Sequence, residues 1–197
     1  MQLARPGSSC AAAARCGGNA MASEDFDPVR MLAALREADV RFVLVGGMAA
    51  ILHGDVGVTV DLDVVPEREP ENLDRLAGAL RALGARIRSE GVPEGLVFDC
   101  SAGFLRNLGP DSILNLTTQA GDLDLTFRPS GTAGYTDLRR DAIEIEAAEG
   151  VRILVASLAD VIRSKEAAGR EKDRIVLPRL RRLLDRIDSE EPGGSSG

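Results

Sequence analysis

The chain has 197 residues, of which 44% are apolar, 28% charged and 3% aromatic. This length fits one domain, with or without a small helical appendage, and the apolar share excludes a wholly disordered chain. The formal net charge is −7, so no whole-surface basic field attracts nucleic acid or anionic lipid, although a local basic groove remains compatible with 24 Lys and Arg residues. No apolar run approaches the roughly 20 residues that span a bilayer.

Both ends of the chain lack the periodicity of folded elements. We predict a disordered leader at residues 1–24 and a disordered tail at residues 189–197. The leader is not typical of a signal peptide, because Arg15 interrupts its short alanine run. The cysteines and the single histidine are not spaced as zinc ligands. Reduced thiols in the cytoplasm are the default, and a disulfide between Cys10 and Cys16 is the alternative.

Between these ends, apolar residues recur with strand-like and helical periods, which predicts a mixed α+β domain. We assign a core to residues 25–156 and C-terminal helices to residues 157–188, and we make no assignment for residues 90–111. The predicted helices cover residues 28–38, 48–53, 70–83, 136–140, 157–168 and 171–187, the last of them bent or restarted at Pro178. The predicted strands cover residues 41–45, 58–65, 85–88, 113–118, 123–127, 142–146 and 151–155.

Acidic residues alternate with apolar ones on two of these strands. Asp61 and Asp63 are neighbours on one face of residues 58–65, because successive side chains on a strand point to opposite faces. Asp124 is the candidate third carboxylate, since Asp122 belongs to the turn before the strand. Like charges this close repel and resist burial, and a divalent cation such as Mg²⁺ offsets both effects. Surface decoration is the alternative. The opposite face of the first strand is predicted to be apolar: Val58, Val60, Leu62 and Val64.

Two further features accompany the carboxylates. Gly46 and Gly47 lie between a predicted strand and a short helix, where a glycine backbone lets a phosphate approach N–H groups; a plain glycine turn is the alternative. Lys165 continues the apolar stripe of helix 157–168, so its ammonium needs a carboxylate or a triphosphate. The alternative is a lysine that extends to solvent at the end of the stripe.

In this order, the motifs resemble those of the DNA polymerase beta-like nucleotidyltransferase superfamily. The matching residues are Gly46-Gly47, His53-Gly54, Thr59-x-Asp61-Leu62-Asp63 and Leu123-Asp124-Leu125. Within it, the chain is most similar to small bacterial nucleotidyltransferases related to abortive-infection toxins and to minimal nucleotidyltransferases. These share a pattern found here as Ser164-Lys165, Arg170 and Lys172-Asp173. The resemblance spans about residues 42–184 and implies a mixed β-sheet packed on helices, with a C-terminal helical segment.

The resemblance implies an enzyme that transfers an NMP group from an NTP to an acceptor hydroxyl and releases pyrophosphate. RNA, in particular a tRNA end, is the implied acceptor, in a toxin-like role with an antitoxin protein as partner. A small molecule such as an antibiotic, or a protein hydroxyl, is the alternative acceptor. Asp61, Asp63 and Asp124 would hold two Mg²⁺ ions, and Asp124 would help to activate the attacking hydroxyl. The remaining implied roles are phosphate binding by Gly46, Gly47 and Lys165, and ordering of the helical end by Asp173.

Two positions depart from the family's pattern. Gly47 occupies a position where serine is common, and Gly57 one where an arginine is common, two residues before Thr59. These losses favour an inactive member of the fold that binds a nucleotide or a protein, whereas the three aspartates favour an enzyme. The arginines available to contact RNA are Arg170, Arg174, Arg179, Arg181 and Arg182, for which a solvated helix face is the alternative that the net charge favours.

Overall fold

The computed structural model describes residues 26–190; the predicted leader, the two leader cysteines and all but the first two residues of the predicted tail lie outside the described residues. Its helices are α1 (Pro28–Glu37), α2 (Gly46–Leu52), α3 (Pro70–Ala82), α4 (Ala102–Asn107), α5 (Tyr135–Asp141), α6 (Leu158–Ala168) and α7 (Glu171–Glu190). Its strands are β1 (Phe42–Val45), β2 (Asp61–Pro66), β3 (Arg86–Ser89), β4 (Val92–Leu96), β5 (Ile113–Thr118), β6 (Gly121–Thr126), β7 (Ile143–Ala148) and β8 (Val151–Val155). Over residues 26–190, no helix is both long and apolar enough to cross a membrane.

The strands form one eight-stranded mixed sheet in the order β4-β3-β5-β6-β2-β1-β8-β7. Strand β2 runs parallel to β6, and β1 runs parallel to β8, while the other neighbours are antiparallel. The predicted α+β class is confirmed. The two strands that carry the candidate carboxylates, far apart in sequence, lie side by side in the middle of the sheet.

The first acidic strand is shorter than predicted. The alternation predicts a strand over residues 58–65, but β2 covers only Asp61–Pro66. Its partners explain the difference, because β1 stops at Val45 before the glycine turn and β6 pairs with β2 only from the first residue of β2 onward. Val58 and Val60 are therefore 93% and 65% exposed instead of facing the core.

Three other segments differ from the prediction. Residues 90–111, for which no element is predicted, contain β4 and α4. Helix α4 begins after an N-cap residue, Ser101, whose hydroxyl accepts a hydrogen bond from the Phe104 N–H at 3.1 Å. Helix α2 begins at Gly46 rather than at residue 48. Pro178 lies inside one continuous helix, on an exposed position where water can satisfy the carbonyl that its missing N–H leaves free.

A buried asparagine links the outer ends of β1 and β2. Asn72 on α3 is 0% exposed. Its side-chain oxygen accepts a hydrogen bond from the Arg41 N–H at 2.7 Å, and its nitrogen donates to the carbonyls of Arg41 and Glu67 at 2.9 and 2.8 Å. Because these two residues flank the paired strands, the contact supports the register that carries Asp63 to the far end of β1.

We expect Asn72→Ala to lower the free energy of unfolding by about 2–4 kcal/mol, because three backbone hydrogen bonds at a buried position are lost. Urea denaturation measures the change. Asp74→Ala, which removes an exposed side chain from the same helix, is the control and should alter stability by less than about 0.5 kcal/mol. Equal stability of the two variants would contradict this role for Asn72.

Candidate active site

Four aspartates lie side by side on β2 and β6. The parallel register pairs Asp61 with Asp122 and Asp63 with Asp124. Neighbouring strands are about 4.8 Å apart and alternate residues share a face, so these carboxylates form one crowded group. The prediction that Asp122 belongs to the preceding turn is wrong. Strand β6 begins at Gly121, and its antiparallel partner β5 pairs with both Gly121 and Asp122.

Burial and the repulsion of neighbouring carboxylates raise the pKa values of two of these aspartates, Asp63 and Asp124. Burial, followed by the charges of Asp61 and Asp124, raises the pKa of Asp63 to about 6. The cations that oppose this shift are Lys165 and Lys172, which act on Asp63 through Coulomb attraction. Among residues 26–190, no cation forms a hydrogen bond with Asp63, although such a partner normally accompanies a buried carboxylate.

The other carboxylates are held by protein donors. The hydroxyl of Thr59 donates to Oδ1 of Asp61 at 2.8 Å. Arg88 on β3 donates one Nη to Asp122 at 2.5 Å and the other to Asp124 at 2.6 Å. Burial raises the pKa of Asp124, and the charge of Arg88 opposes that rise. Among residues 26–190, no three or more His, Cys, Asp or Glu side chains are arranged so that they could hold a metal ion. The cation in contact with Asp124 is the guanidinium of Arg88.

The two glycines approach the aspartates closely. A Cβ atom at Gly46 would lie 2.0 Å from Oδ2 of Asp63, and Gly46 also has φ +70°, in the left-handed region. A Cβ atom at Gly47 would lie 2.7 Å from Oγ1 of Thr59. Glycine is therefore required where α2 begins, and the Thr59 hydroxyl occupies the space that a serine at position 47 would need.

One cleft of about 650 Å³ is lined by the two glycines, by Thr59 and by three of the four aspartates, Asp61, Asp63 and Asp124. Val58 and Ile113 also line it and are 93% and 62% exposed, so part of its wall is apolar. Every residue that the resemblance assigns to the site lines the same cleft: Gly46, Gly47, Asp61, Asp63, Asp124, Lys165 and Asp173.

No protein-family model and no curated protein matches the chain. Among solved structures, the lincosamide antibiotic adenylyltransferase LnuA, bound to lincomycin, matches with a TM-score of 0.52 and 15% identity over 81% of this chain and 99% of LnuA. The chain has the nucleotidyltransferase fold. A candidate nucleotidyltransferase of Thermotoga maritima, TM1012, matches with a TM-score of 0.48 and 15% identity, over 80% of this chain and 90% of its own. The antibiotic-resistance factor ANT(2'')-Ia matches with a TM-score of 0.40 and 16% identity, over 82% of this chain and 93% of its own.

Helices α6 and α7 add a charged cluster to this nucleotidyltransferase fold. Asp173, whose side chain is 1% exposed, accepts hydrogen bonds from Nε of Arg170 at 2.7 Å and from Nζ of Lys165 at 3.3 Å. Burial opposes ionisation of Asp173, but these two cations lower its pKa. Lys165 thus has a carboxylate partner, one of the two anions predicted for it, and Asp173 links α6 to the first turn of α7.

The arginines predicted as RNA contacts are largely engaged within the protein. Three of the five form ion pairs with carboxylates at 2.5–2.7 Å: Arg170 with Asp173, Arg179 with Asp55, and Arg181 with Glu166. The other two, Arg174 and Arg182, are exposed on α7. Lys172 and Arg186 are exposed on α7 as well, so four cations of this helix have no carboxylate partner among residues 26–190.

One of these pairs shapes the wall of the cleft. Arg179 holds the two oxygens of Asp55 at 2.5 and 2.9 Å, and the Asp55 side chain is 6% exposed. The hydrogen bond with Arg179 lowers the pKa of Asp55. A Cβ atom at Gly57 would lie 2.7 Å from Nη2 of Arg179. The guanidinium of Arg179 therefore fills the space beside position 57, where the family's pattern has an arginine side chain.

Sequence reasoning missed two residues that shape the site, Arg88 and Asp55, and it named Arg179 only as an arginine available to contact RNA. Arg88 belongs to a strand that was predicted, but it reaches its carboxylates across β5, and only the strand order of the folded sheet reveals that. Asp55 and Arg179 are 124 residues apart in the chain, and no local pattern connects them.

We expect Asp63→Asn to raise the free energy of unfolding at pH 8 by about 1–3 kcal/mol when divalent cations are absent. The pKa of Asp63 is about 6 in the folded protein and 3.8 in the unfolded chain. The neutral carboxyl therefore contributes fully to wild-type stability below pH 3.8, and this contribution is lost as the pH rises through 6. Denaturation at pH 5 and pH 8 in EDTA measures the difference, with exposed Asp74→Asn as the control. A gain that does not grow with pH would contradict the raised pKa.

We expect Gly46→Ala to lower the free energy of unfolding by about 2–4 kcal/mol, because the new methyl group would overlap the Asp63 carboxylate and the backbone would be strained. Gly78→Ala is the matched control, since Gly78 lies inside α3 and a Cβ atom there would meet its nearest neighbour at 3.9 Å. This control should raise stability by about 0.5–1 kcal/mol. Thermal denaturation measures both changes. Melting temperatures of the two variants that shift in the same direction would contradict the close approach at Gly46.

Proposed function

We propose that the chain is a Mg²⁺-dependent nucleotidyltransferase that transfers an NMP group from an NTP to a hydroxyl group of a small molecule. The observation that carries the proposal is the group of aspartates on β2 and β6, crowded together at one cleft of a nucleotidyltransferase fold. The finer assignments below, residue by residue, are part of the same proposal.

The residues suit Mg²⁺. All the acidic side chains of the group offer carboxylate oxygens, the ligands that Mg²⁺ prefers, and the raised pKa of Asp63 reflects a deficit of positive charge beside it. Asp61, Asp63 and Asp124 would hold two ions. When bound, the ions would neutralise charge on the phosphate oxygens during transfer. Oδ1 of Asp124, which Arg88 contacts, would become available to an ion only when that contact is released.

The protein residues then have distinct roles in the reaction. The acceptor oxygen forms a bond with the α-phosphorus, the bond from that phosphorus to the bridging oxygen breaks, and pyrophosphate leaves. A carboxylate oxygen of Asp124 receives the proton of the acceptor hydroxyl. Lys165, which lines the cleft and contacts Asp173, pairs with the triphosphate. The backbone of Gly46 and Gly47, on the same cleft, adjoins the phosphates.

Charge and shape favour a small acceptor over RNA. Three of the five arginines considered for RNA are already paired with carboxylates, and the chain carries a net charge of −7. The cleft of about 650 Å³, with Val58 and Ile113 in its wall, has the size and mixed polarity of small-molecule sites. LnuA, which shares the fold, is an adenylyltransferase of lincosamide antibiotics, and a hydroxyl-bearing antibiotic is therefore the first acceptor to test.

The test is transfer of label from each α-³²P-labelled NTP, in Mg²⁺, to a lincosamide, to an aminoglycoside and to total RNA. We expect label in a small molecule, loss of the activity in EDTA, and a decrease of about a thousandfold in Asp61→Asn and Asp63→Asn. Asp74→Asn, exposed on α3, is the control for charge and should retain wild-type activity.

The other outcomes have defined meanings. Label in RNA alone would overturn the small acceptor and favour the toxin-like branch with an antitoxin partner. Tight NTP binding in calorimetry, without transfer to any acceptor, would overturn the enzyme and favour an inactive nucleotide-binding member of the fold.

A further inference from the structure

Arg88 joins two of the four aspartates at the candidate active site. Its two Nη atoms contact different carboxylates, Asp122 at 2.5 Å and Asp124 at 2.6 Å. To do so the side chain extends from β3 across β5 to β6, and it is 33% exposed. Burial opposes the charge of Arg88, but the hydrogen bond with Asp122 and the charges of Asp124 and Asp61 raise its pKa, so the guanidinium stays protonated.

The two contacts differ in what they do to the site. Asp124 lines the cleft with Asp61 and Asp63, whereas Asp122 is not among the residues that line it. A guanidinium on Asp124 therefore occupies an oxygen that the proposed function assigns to Mg²⁺. Metal binding in the cleft would not affect its contact with Asp122, so Arg88 can leave Asp124 and still keep one charged partner.

We propose that Arg88 is a resident cation that holds Asp124 in the metal-free protein and competes with divalent cations for that carboxylate. Arg88 is thus a positioning residue for the metal site. When Asp124 is released, Arg88 remains paired with Asp122. This inference rests on the proposed function, because it takes Asp124 as a metal ligand.

The contact weakens the attraction of Asp124 for a divalent cation. With Arg88 in place, Oδ1 of Asp124 contacts a guanidinium, and this positive charge lowers the attraction of the carboxylate for another cation. Removal of Arg88 frees the oxygen and increases the negative charge of the group. The direction in which metal affinity changes when Arg88 is replaced distinguishes two roles. If Arg88 only oriented Asp124, it would improve metal binding, and its replacement would weaken that binding; if Arg88 competes with the metal, its replacement strengthens it.

The test measures binding of Mn²⁺ alone, by calorimetry on the full chain at pH 8 without nucleotide, where Asp63 is ionised. We expect Arg88→Gln to bind Mn²⁺ about tenfold more tightly than the wild-type protein, a change on the scale of one charged hydrogen bond. Arg86→Gln is the matched control: it removes the same charge from an exposed position two residues earlier on β3, and should change the affinity by less than about twofold.

Melting in EDTA verifies that each variant is folded, and Arg88→Lys, which keeps the charge with one nitrogen instead of two, should give an intermediate affinity. Equal or weaker Mn²⁺ binding by Arg88→Gln would overturn the competition; if the wild-type protein still transfers an NMP group, the proposed function stands. A tenfold gain shared by Arg86→Gln would also overturn it, because the effect would be one of net charge. Failure of both the wild-type protein and Arg88→Gln to bind Mn²⁺ would overturn the inference together with the metal site.

Discussion

Repulsion among carboxylates is the constraint to which the rest of the site responds. Parallel pairing of β2 and β6 places four aspartates within two strand widths, and burial removes much of the water that would screen them. Three local features respond to this cost. The pKa of Asp63 is raised, the hydroxyl of Thr59 donates to Asp61, and the guanidinium of Arg88 lies between Asp122 and Asp124. A stability-driven sequence would replace some of these acids, so their retention favours a role in binding cations.

Segments far apart in the chain depend on this same group of aspartates. The start of α2 packs so closely on Asp63 and Thr59 that only glycine fits. Thr59 in turn belongs to the exposed loop before β2, and the pair of Asp55 with Arg179 ties the beginning of that loop to α7. The C-terminal helices are therefore part of the wall of the site, and a shift of α7 would reach Asp61 through the loop and the Thr59 hydroxyl.

Local patterns in the sequence were sufficient for those features that depend on local interactions. The alternation of acids and apolar residues predicts β2 and β6, and caps and breakers predict most of the helices to within a few residues. The errors arise where a distant partner decides: residues 58–60 are not in a strand because β1 ends at Val45, and Asp122 is in one because β5 extends beside it. Arg88 was missed for the same reason, since its role depends on the strand order of the sheet.

The two departures from the family's pattern illustrate how side chains from elsewhere can replace a local group. At Gly47 a serine hydroxyl is missing, but the hydroxyl of Thr59 lies 2.7 Å from the position where a Cβ atom would be. At Gly57 an arginine is missing, but the guanidinium of Arg179 lies at the same distance from the corresponding position. Both functional groups thus lie beside these positions, supplied by other residues, and both are engaged within the protein: the Thr59 hydroxyl donates to Asp61, and the Arg179 guanidinium is paired with Asp55. The glycines at these positions make room for these two contacts, which fix two carboxylates in the wall of the cleft.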